Sequence, residues 1–493
     1  NENEIKLKKI LKYIYNLKLF DPACGSGNFL IVSYKQLCLV EMEIIKKLKE
    51  INPSNWQLVM PGIRRGQFYG LEKSHFAKEI AKLSLWLAEH QMNFFYKEVF
   101  EKINPSLPIE DNSNIICANS ITYDWKSIFK KAEYKSNIIV LGNPPFKAKS
   151  KRTEEQQEDI KFYFGKTKKV DYVALWFLKA CDFTDNFFNT KIGFVTTNSI
   201  NQGEQVEIIW EEILNRGFSI FFAHKSFKWR NNARNNATVT VSIICLAKKN
   251  LNQKSLVIDD QLYDVKNINP YLISAPNLII KKSRINLFSL PKMTTGEMPR
   301  DDGNFLLNVS QRNEILLKNP ETQKFIRPYM GGEEFINGSK RWCFWINDKN
   351  KAEAENFNQI KKRIENVKLF RSKSTNKTTN QFANKAYRFV EIRKQETDCV
   401  FLPETSSAAR QYVPVGYADK EIIFSNSIKI IYDSPLYLIA VLSSRMHNVW
   451  IKNIGGRLRE DIRYSTEIVY NNFPIINLNK EQIKKLNYLS THL

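Results

Sequence analysis

Between a short apolar run, Leu17 to Phe20, and a long amphipathic one, Leu30 to Lys49, the chain reads Asp21-Pro-Ala-Cys-Gly-Ser-Gly-Asn28-Phe29. A strand that ends on an acid, turns through Gly25 and Gly27 and enters a helix belongs to an α/β sheet with helical crossovers. The following residues keep that alternation. Gln67 to Gly70 predicts a second strand, running into Leu71 and Glu72. Ser74 to Asn93 predicts a helix, with Phe76, Ile80, Leu83, Leu87 and His90 at helical spacing. Ile115–Cys117 and Ile138–Leu141 are further short apolar runs. Tyr172–Cys181 reads as a helix, and Lys191–Thr196, Ser219–Ala223 and Ala237–Leu246 read as strands.

The glycine turn constrains the ligand as well as the fold. Gly25 and Gly27 have no Cβ, so a bound molecule can approach the backbone closely. The spacing is not GxGxxG, and no GK[ST] follows, so neither a dinucleotide pyrophosphate nor a nucleoside triphosphate is indicated. An acid at the strand end instead suits a ligand carrying an ammonium group, such as the amino acid end of S-adenosylmethionine. Glu72, ending the next strand, is placed to accept both ribose hydroxyls of an adenosine. About 50 residues separate the two acids rather than the usual ~20, which implies an extra helical segment between the strands.

After the strand Ile138–Leu141 comes Gly142-Asn143-Pro144-Pro145-Phe146. Two consecutive prolines fix two φ angles near −65° and remove two N–H donors. The carbonyls of Asn143 and Pro144 are thereby presented rigidly. If the Asn143 side-chain oxygen and the Pro144 carbonyl accept the two hydrogens of a base's exocyclic amine, the nitrogen is drawn toward tetrahedral geometry. Its lone pair can then attack a methyl sulfonium in line. Proximity and oriented dipoles do most of this catalysis, and Phe146 can stack on the base.

Asp21–Phe29 resembles motif I, and Asn143–Phe146 motif IV, of the class I S-adenosylmethionine-dependent DNA N6-adenine methyltransferases. The order, cofactor motif first, catalytic motif second and recognition domain last, resembles their γ arrangement. The similarity is closer still to the MmeI-like (type IIL) fused restriction–modification proteins. It is carried by Glu72–Asn93, Ser226-Phe-Lys-Trp229, Phe325–Phe335, Arg341–Trp345, Gly455–Tyr464 and Ile468–Pro474, and it covers nearly the whole chain. The resemblance implies a Rossmann-like methyltransferase sheet flanked by helices, followed by a mixed α/β target-recognition domain. It implies S-adenosylmethionine as cofactor, held by Asp21, Ala23, Gly25, Gly27, Asn28, Phe29, Glu72 and Asn119, the last standing where many relatives have Asp. Asn143, Pro144, Pro145 and Phe146 would be catalytic, with Phe227 or Trp229 facing a target adenine flipped out of duplex DNA.

The remaining composition supports a polyanionic partner. The 74 Lys+Arg against 51 Asp+Glu give a net charge of +23, an excess that fits nucleic acid. Between Lys340 and Lys394, fifteen basic residues face five acidic ones, which reads as phosphate contact. Arg371 and Lys373 are candidates from that stretch. Arg410, Arg445, Arg457, Arg459 and Arg463 are candidates for guanine edges or phosphates, because Arg forms bidentate pairs. No apolar run approaches the roughly 18 residues of a membrane span. Seven scattered cysteines with no CxxC pair point to a reducing compartment, hence the cytoplasm, and to no metal site.

These observations divide the chain into a methyltransferase domain (1–250), a Pro- and Gly-rich connector (251–303), a DNA target-recognition domain (304–476) and the start of a truncated helical segment (477–493). Only twenty residues precede Asp21. The nuclease and helical segment that such fused enzymes carry upstream would lie in a longer parent chain, and no cleavage is expected from this one. Two other readings stay open: a catalytically silent DNA-recognition fragment of a larger enzyme, and a methylase acting on RNA or a protein amide.

Overall fold

The computed structural model describes residues 2–53, 62–100, 114–130, 133, 136–185, 189–229, 239–248, 251–458 and 461–492. They form two compact units, Asn1–Ile279 and Ile280–Leu493. The first holds helices α1 (Glu2–Tyr15), α2 (Asn28–Ile51), α3 (His75–Phe100), α4 (Glu154–Phe164), α5 (Ala174–Thr184) and α6 (Glu204–Asn215). Its strands are β1 (Leu17–Asp21), β2 (Phe68–Glu72), β3 (Asn114–Cys117), β4 (Asn137–Gly142), β5 (Thr190–Thr197), β6 (Ser219–Trp229), β7 (Val239–Ala247), β8 (Lys254–Ile258) and β9 (Gln261–Val265).

All nine strands lie in one sheet, in the order β3-β2-β1-β4-β5-β7-β6-β8-β9. From β3 to β5 every pair is parallel. β7 then pairs antiparallel with both β5 and β6. Apolar residues such as Leu19, Phe20, Phe68, Ile138 and Val140 are buried in these strands, as expected for parallel strands covered on both faces. The strand order reverses between β1 and β4, and in open α/β sheets ligands bind beyond the carboxyl ends of the strands at that reversal. Asp21 and Asn143 stand there.

Two expectations are corrected in this unit. The helix predicted over Ser74–Asn93 is present as α3, but its large apolar ridge faces outward: Phe76, Leu83, Leu87 and Phe94 are all exposed. The buried face is instead Ala81, Leu85, Ala88, Met92 and Tyr96. Small residues permit close approach here, and a Cβ on Gly27 would press on that of Ala81 at 3.1 Å. The connector predicted over 251–303 is not a free linker. β8 and β9 extend the first sheet as a hairpin closed by Asp259 and Asp260, both at positive φ. Beyond Ile280 the chain is laced into the second unit, with Ser283 N–H donating to Glu467 O, Leu287 N–H to Asn471 O, and Thr294–Thr295 pairing with Lys429–Ile430.

The second unit is mixed α/β. One four-stranded sheet contains Cys399–Pro403 and Ile428–Tyr432, another contains Ile326–Met330 and Arg341–Phe344, and a three-stranded sheet joins Thr405–Ser406, Asp461–Arg463 and Gly456–Leu458. The C-terminal pattern forms the helix Lys480–Ser490, which belongs to this unit: Ser490 Oγ accepts from the Ala440 N–H at 3.2 Å. No described helix is long and apolar enough to cross a membrane.

Candidate active site

The sheet's first turn is held open by its own hydrogen bonds. Asp21 is buried, and its Oδ1 accepts the Ala23 N–H at 2.9 Å. The Cys24 N–H donates to Leu71 O at 3.0 Å. Glu72 ties the turn to β2, accepting the Gly25 N–H at 3.0 Å on one oxygen and the Ser74 N–H at 2.8 Å on the other. Gly25 and Gly27 both adopt left-handed φ, +56° and +86°, conformations that L side chains rarely adopt. Around Gly25 nothing stands within 4 Å of where a Cβ would be, so the backbone there is open to a ligand.

β1 and β4 meet closely at their carboxyl ends. Gly142 has φ +151°, and a Cβ on it would strike the Asp21 carboxylate. Asn143 follows at once. It is half-buried, and its Oδ1 is fully shielded from solvent yet has no hydrogen-bond partner. An orphaned buried acceptor costs about 1–3 kcal/mol, so its presence marks a place where something else is meant to donate.

Asn143 and Pro145 line a cleft of about 460 Å3 together with Pro22, Ala23, Glu72, Ala118, Asn119 and Ser120. The Pro22–Ala23 start of the glycine turn, the Glu72 strand end and the Asn143–Pro145 loop therefore share one cavity, while Asp21, Gly25 and Gly27 are not among the described residues that line it. The Oγ of Ser120 is a second buried polar atom in the lining with no partner. An open glycine turn, a carboxylate at each of two neighbouring strand tips and the spare Ser120 hydroxyl just beyond the far strand suit the amino acid, ribose and adenine of S-adenosylmethionine. The donor set fits that molecule.

The other side of the cleft was not visible in the sequence. Thr153, Glu155 and Gln156 of the α4 start, and Tyr172 and Trp176 around the α5 start, complete the lining. Trp176 Nε1 donates to Pro22 O at 3.3 Å, and the Tyr172 N–H donates to Lys147 O at 2.9 Å, which anchors the chain just after Phe146. One local signal existed: Thr153 and Gln156 form a capping box that opens α4.

Phe146 is half-buried. Phe227 and Trp229 are also half-buried and sit together on β6, ring centroids 6.2 Å apart, with Phe227 against His224 at 4.4 Å. None of these three is among the described residues lining the cleft. Asn28 is exposed at the first position of α2, with half-buried Phe29 beside it.

Of the basic candidates, Arg371 is corrected. It is wholly buried, and its guanidinium donates to five backbone carbonyls: those of Pro299, Arg300, Phe382, Lys385 and Arg388. All five of its N–H groups are thereby used, and none is left for DNA. Burial pushes its pKa down to about 10. Lys373, two residues on, is exposed. Arg457 and Arg463 come together on the three-stranded sheet, where Arg463 pairs in register with Gly456 and Arg457 with Ile462. Arg463 is exposed and bonds Glu404 at 3.0 Å, whereas Arg457 is half-buried and donates to Lys452 O at 2.9 Å. Arg410 is half-buried in the loop after Thr405–Ser406, and Arg445 is exposed at the start of the helix Arg445–Ile454. Arg459 lies outside the described residues.

Comparison with known proteins covers both units. Residues 1–258 match the family model described as MmeI, DNA-methyltransferase domain, and residues 274–477 match MmeI, target recognition domain. DNA methyltransferase A of Bacillus subtilis (strain 168) is 40% identical over 478 residues, covering 96% of this chain and 54% of that protein. The solved structure of the Type IIL restriction-modification enzyme MmeI in complex with DNA superposes with a TM-score of 0.88 at 36% identity, over 99% of this chain and 66% of that one. The chain thus spans less than two thirds of either relative.

Proposed function

Because the chain belongs to the MmeI family of DNA methyltransferases, we propose that it methylates N6 of an adenine in duplex DNA, as the modification activity of a restriction–modification system. The observation that carries this reading is the orphaned Asn143 oxygen in the same cleft as Pro22, Ala23 and Glu72.

S-adenosylmethionine would supply an electrophilic methyl group on a sulfonium. Asp21 would face the ligand's ammonium, Glu72 its ribose hydroxyls, and the Ala118–Ser120 turn its adenine. The target adenine, extruded from the duplex, would offer two amine hydrogens. Asn143 Oδ1 and the Pro144 carbonyl accept them, and the imino acids hold both acceptors in place. Electron density is then freed on the nitrogen without any strong base. Phe146, Phe227 and Trp229 give aromatic faces for the flipped ring, at about 1–3 kcal/mol per stacked base. Lys373, Arg410, Arg445, Arg457, Arg459 and Arg463 would contact the duplex. The seven cysteines are free thiols, which suits a reducing compartment, and we place the reaction in the cytoplasm.

The test is transfer of tritium from labelled S-adenosylmethionine to DNA. The parent chain should transfer label to adenine, and Asn143→Ala should lose about 100-fold or more in kcat, the usual loss when one oriented group at the reacting centre is removed. DNA affinity should be unchanged. Label that persists in Asn143→Ala refutes the assigned role.

A further inference from the structure

The adenine side of the cleft contains a hydrogen-bonded chain that the reaction above does not use. Asn119 follows β3 and lines the cleft. Its Oδ1 accepts the Ile121 N–H at 2.9 Å, and its Nδ2 donates to Asp159 Oδ1 at 3.1 Å. Asp159 comes from α4, forty residues on, and is buried to 4% exposure. Its other oxygen accepts the Tyr172 hydroxyl, and Tyr172 again lines the cleft.

A carboxylate can only accept hydrogen bonds, whereas an amide has a donating and an accepting end. Asp159 therefore decides which way the Asn119 amide points: nitrogen toward the carboxylate, oxygen toward the Ile121 N–H. With that orientation fixed, one Nδ2 proton and one Oδ1 lone pair remain in fixed places. That is one donor and one acceptor, the complement of N1 and the N6 amine of an adenine. Without a carboxylate at 159 only the Ile121 N–H would hold the amide, and turning over would cost one bond rather than two.

We propose that Asp159 is a positioning residue for the adenine of the methyl donor, acting through Asn119, and that the 119–159 pair works because its amide stands at 119 and its carboxylate at 159. This rests on the reading of the cleft as the S-adenosylmethionine site. It makes Asn119 a different arrangement from an acid at that position: the charge is carried by α4 rather than by the end of β3. An acid at 119 opposite Asp159 would set two carboxylates against each other, and one would have to take up a proton. An amide at 159 could meet Asn119 with either its oxygen or its nitrogen, leaving the Ile121 N–H alone to distinguish the two ends of the Asn119 amide.

The reciprocal exchange tests this. Binding of S-adenosylmethionine and of S-adenosylhomocysteine is measured by calorimetry on the full chain, with KM, kcat and the thermal midpoint alongside. Asn119→Asp and Asp159→Asn should each weaken binding about tenfold and raise KM, with kcat at saturation changed by no more than about threefold; tenfold corresponds to about 1.4 kcal/mol. The double variant exchanges the partners and leaves a carboxylate, with no donor, facing the ligand, so it should stay at least as weak as Asn119→Asp. A merely structural pair would move the midpoint and kcat without this split, and would recover in the double variant. Parent-like affinity in either single variant, or in the double variant, overturns the proposal. A parent chain that binds neither molecule overturns the cleft assignment itself, and the inference with it.

Discussion

At the end of β1, burial pushes the Asp21 carboxyl up to about 7; the Ala23 N–H opposes the shift and the nearby Glu72 adds to it. A carboxyl raised in the fold favours its protonated form there, so ionising it costs the folded state stability as pH rises toward 7. A cationic ligand group reverses that preference. Affinity for S-adenosylmethionine should therefore climb by up to about tenfold per pH unit below 7 and level off above it, with a proton released on binding at pH 6. Titration calorimetry in buffers of different ionisation enthalpy measures that proton. Asp21→Asn should abolish both slope and release; a flat profile in the parent chain would show that no cation meets this carboxylate. Such residues were legible in the sequence because their roles are local. Two glycines at positive φ, a strand-end acid and two prolines each fix their own backbone whatever surrounds them. Asp159 and Tyr172 act across forty and more residues of chain, and no short motif announces them.

Helices make the same point less kindly. The stretch Lys340–Lys394 reads by its charge as phosphate contact, and charge alone puts Arg371 on DNA. The structure buries Ile360, Ile364, Val367 and Arg371 along one face of the helix Asn358–Ser372, spaced by four, three and four, so the helical period that marks a core stripe already included the arginine. Its five carbonyl partners join the end of this helix to residues 299–300 and 382–388. Arg371→Leu should destabilise the second unit by about 3–5 kcal/mol, the cost of leaving buried polar groups without their partner. Arg371→Lys should recover little, because an ammonium has three donors for five acceptors. Lys373→Ala, in contrast, should stay within about 0.5 kcal/mol of the parent. Chemical denaturation of the three variants ranks them, and equal midpoints for Arg371→Leu and Lys373→Ala would contradict the assignment. The hairpin β8–β9 escaped for another reason. Its two-residue turn needs positive φ at both positions, usually supplied by Asn-Gly or Asp-Gly, and here Asp259 and Asp260 adopt it without a glycine.

Across the whole molecule, the net charge of +23 and the exposed lysines of the second unit should make the proposed DNA affinity strongly dependent on salt. Each neutralised phosphate contributes about one unit to the slope of log affinity against log salt. Removing an exposed cation such as Lys373 or Arg445 should lower that slope by about one while leaving the methylated sequence unchanged. Arg463 already holds Glu404, so Arg463→Ala should lower the slope by less. Binding isotherms at several salt concentrations, read beside methylation mapping, separate the two effects, and a slope insensitive to Lys373→Ala and Arg445→Ala would move the duplex to another surface. The outward ridge of α3 acts on the molecule in a different way. Phe76, Leu83, Leu87 and Phe94 recur at intervals of seven, four and seven residues on one side of a helix, and Phe76 is 76% exposed. An oily strip of that length should light up an environment-sensitive dye in the natively folded chain, and should draw monomers together as their concentration rises even in the absence of DNA.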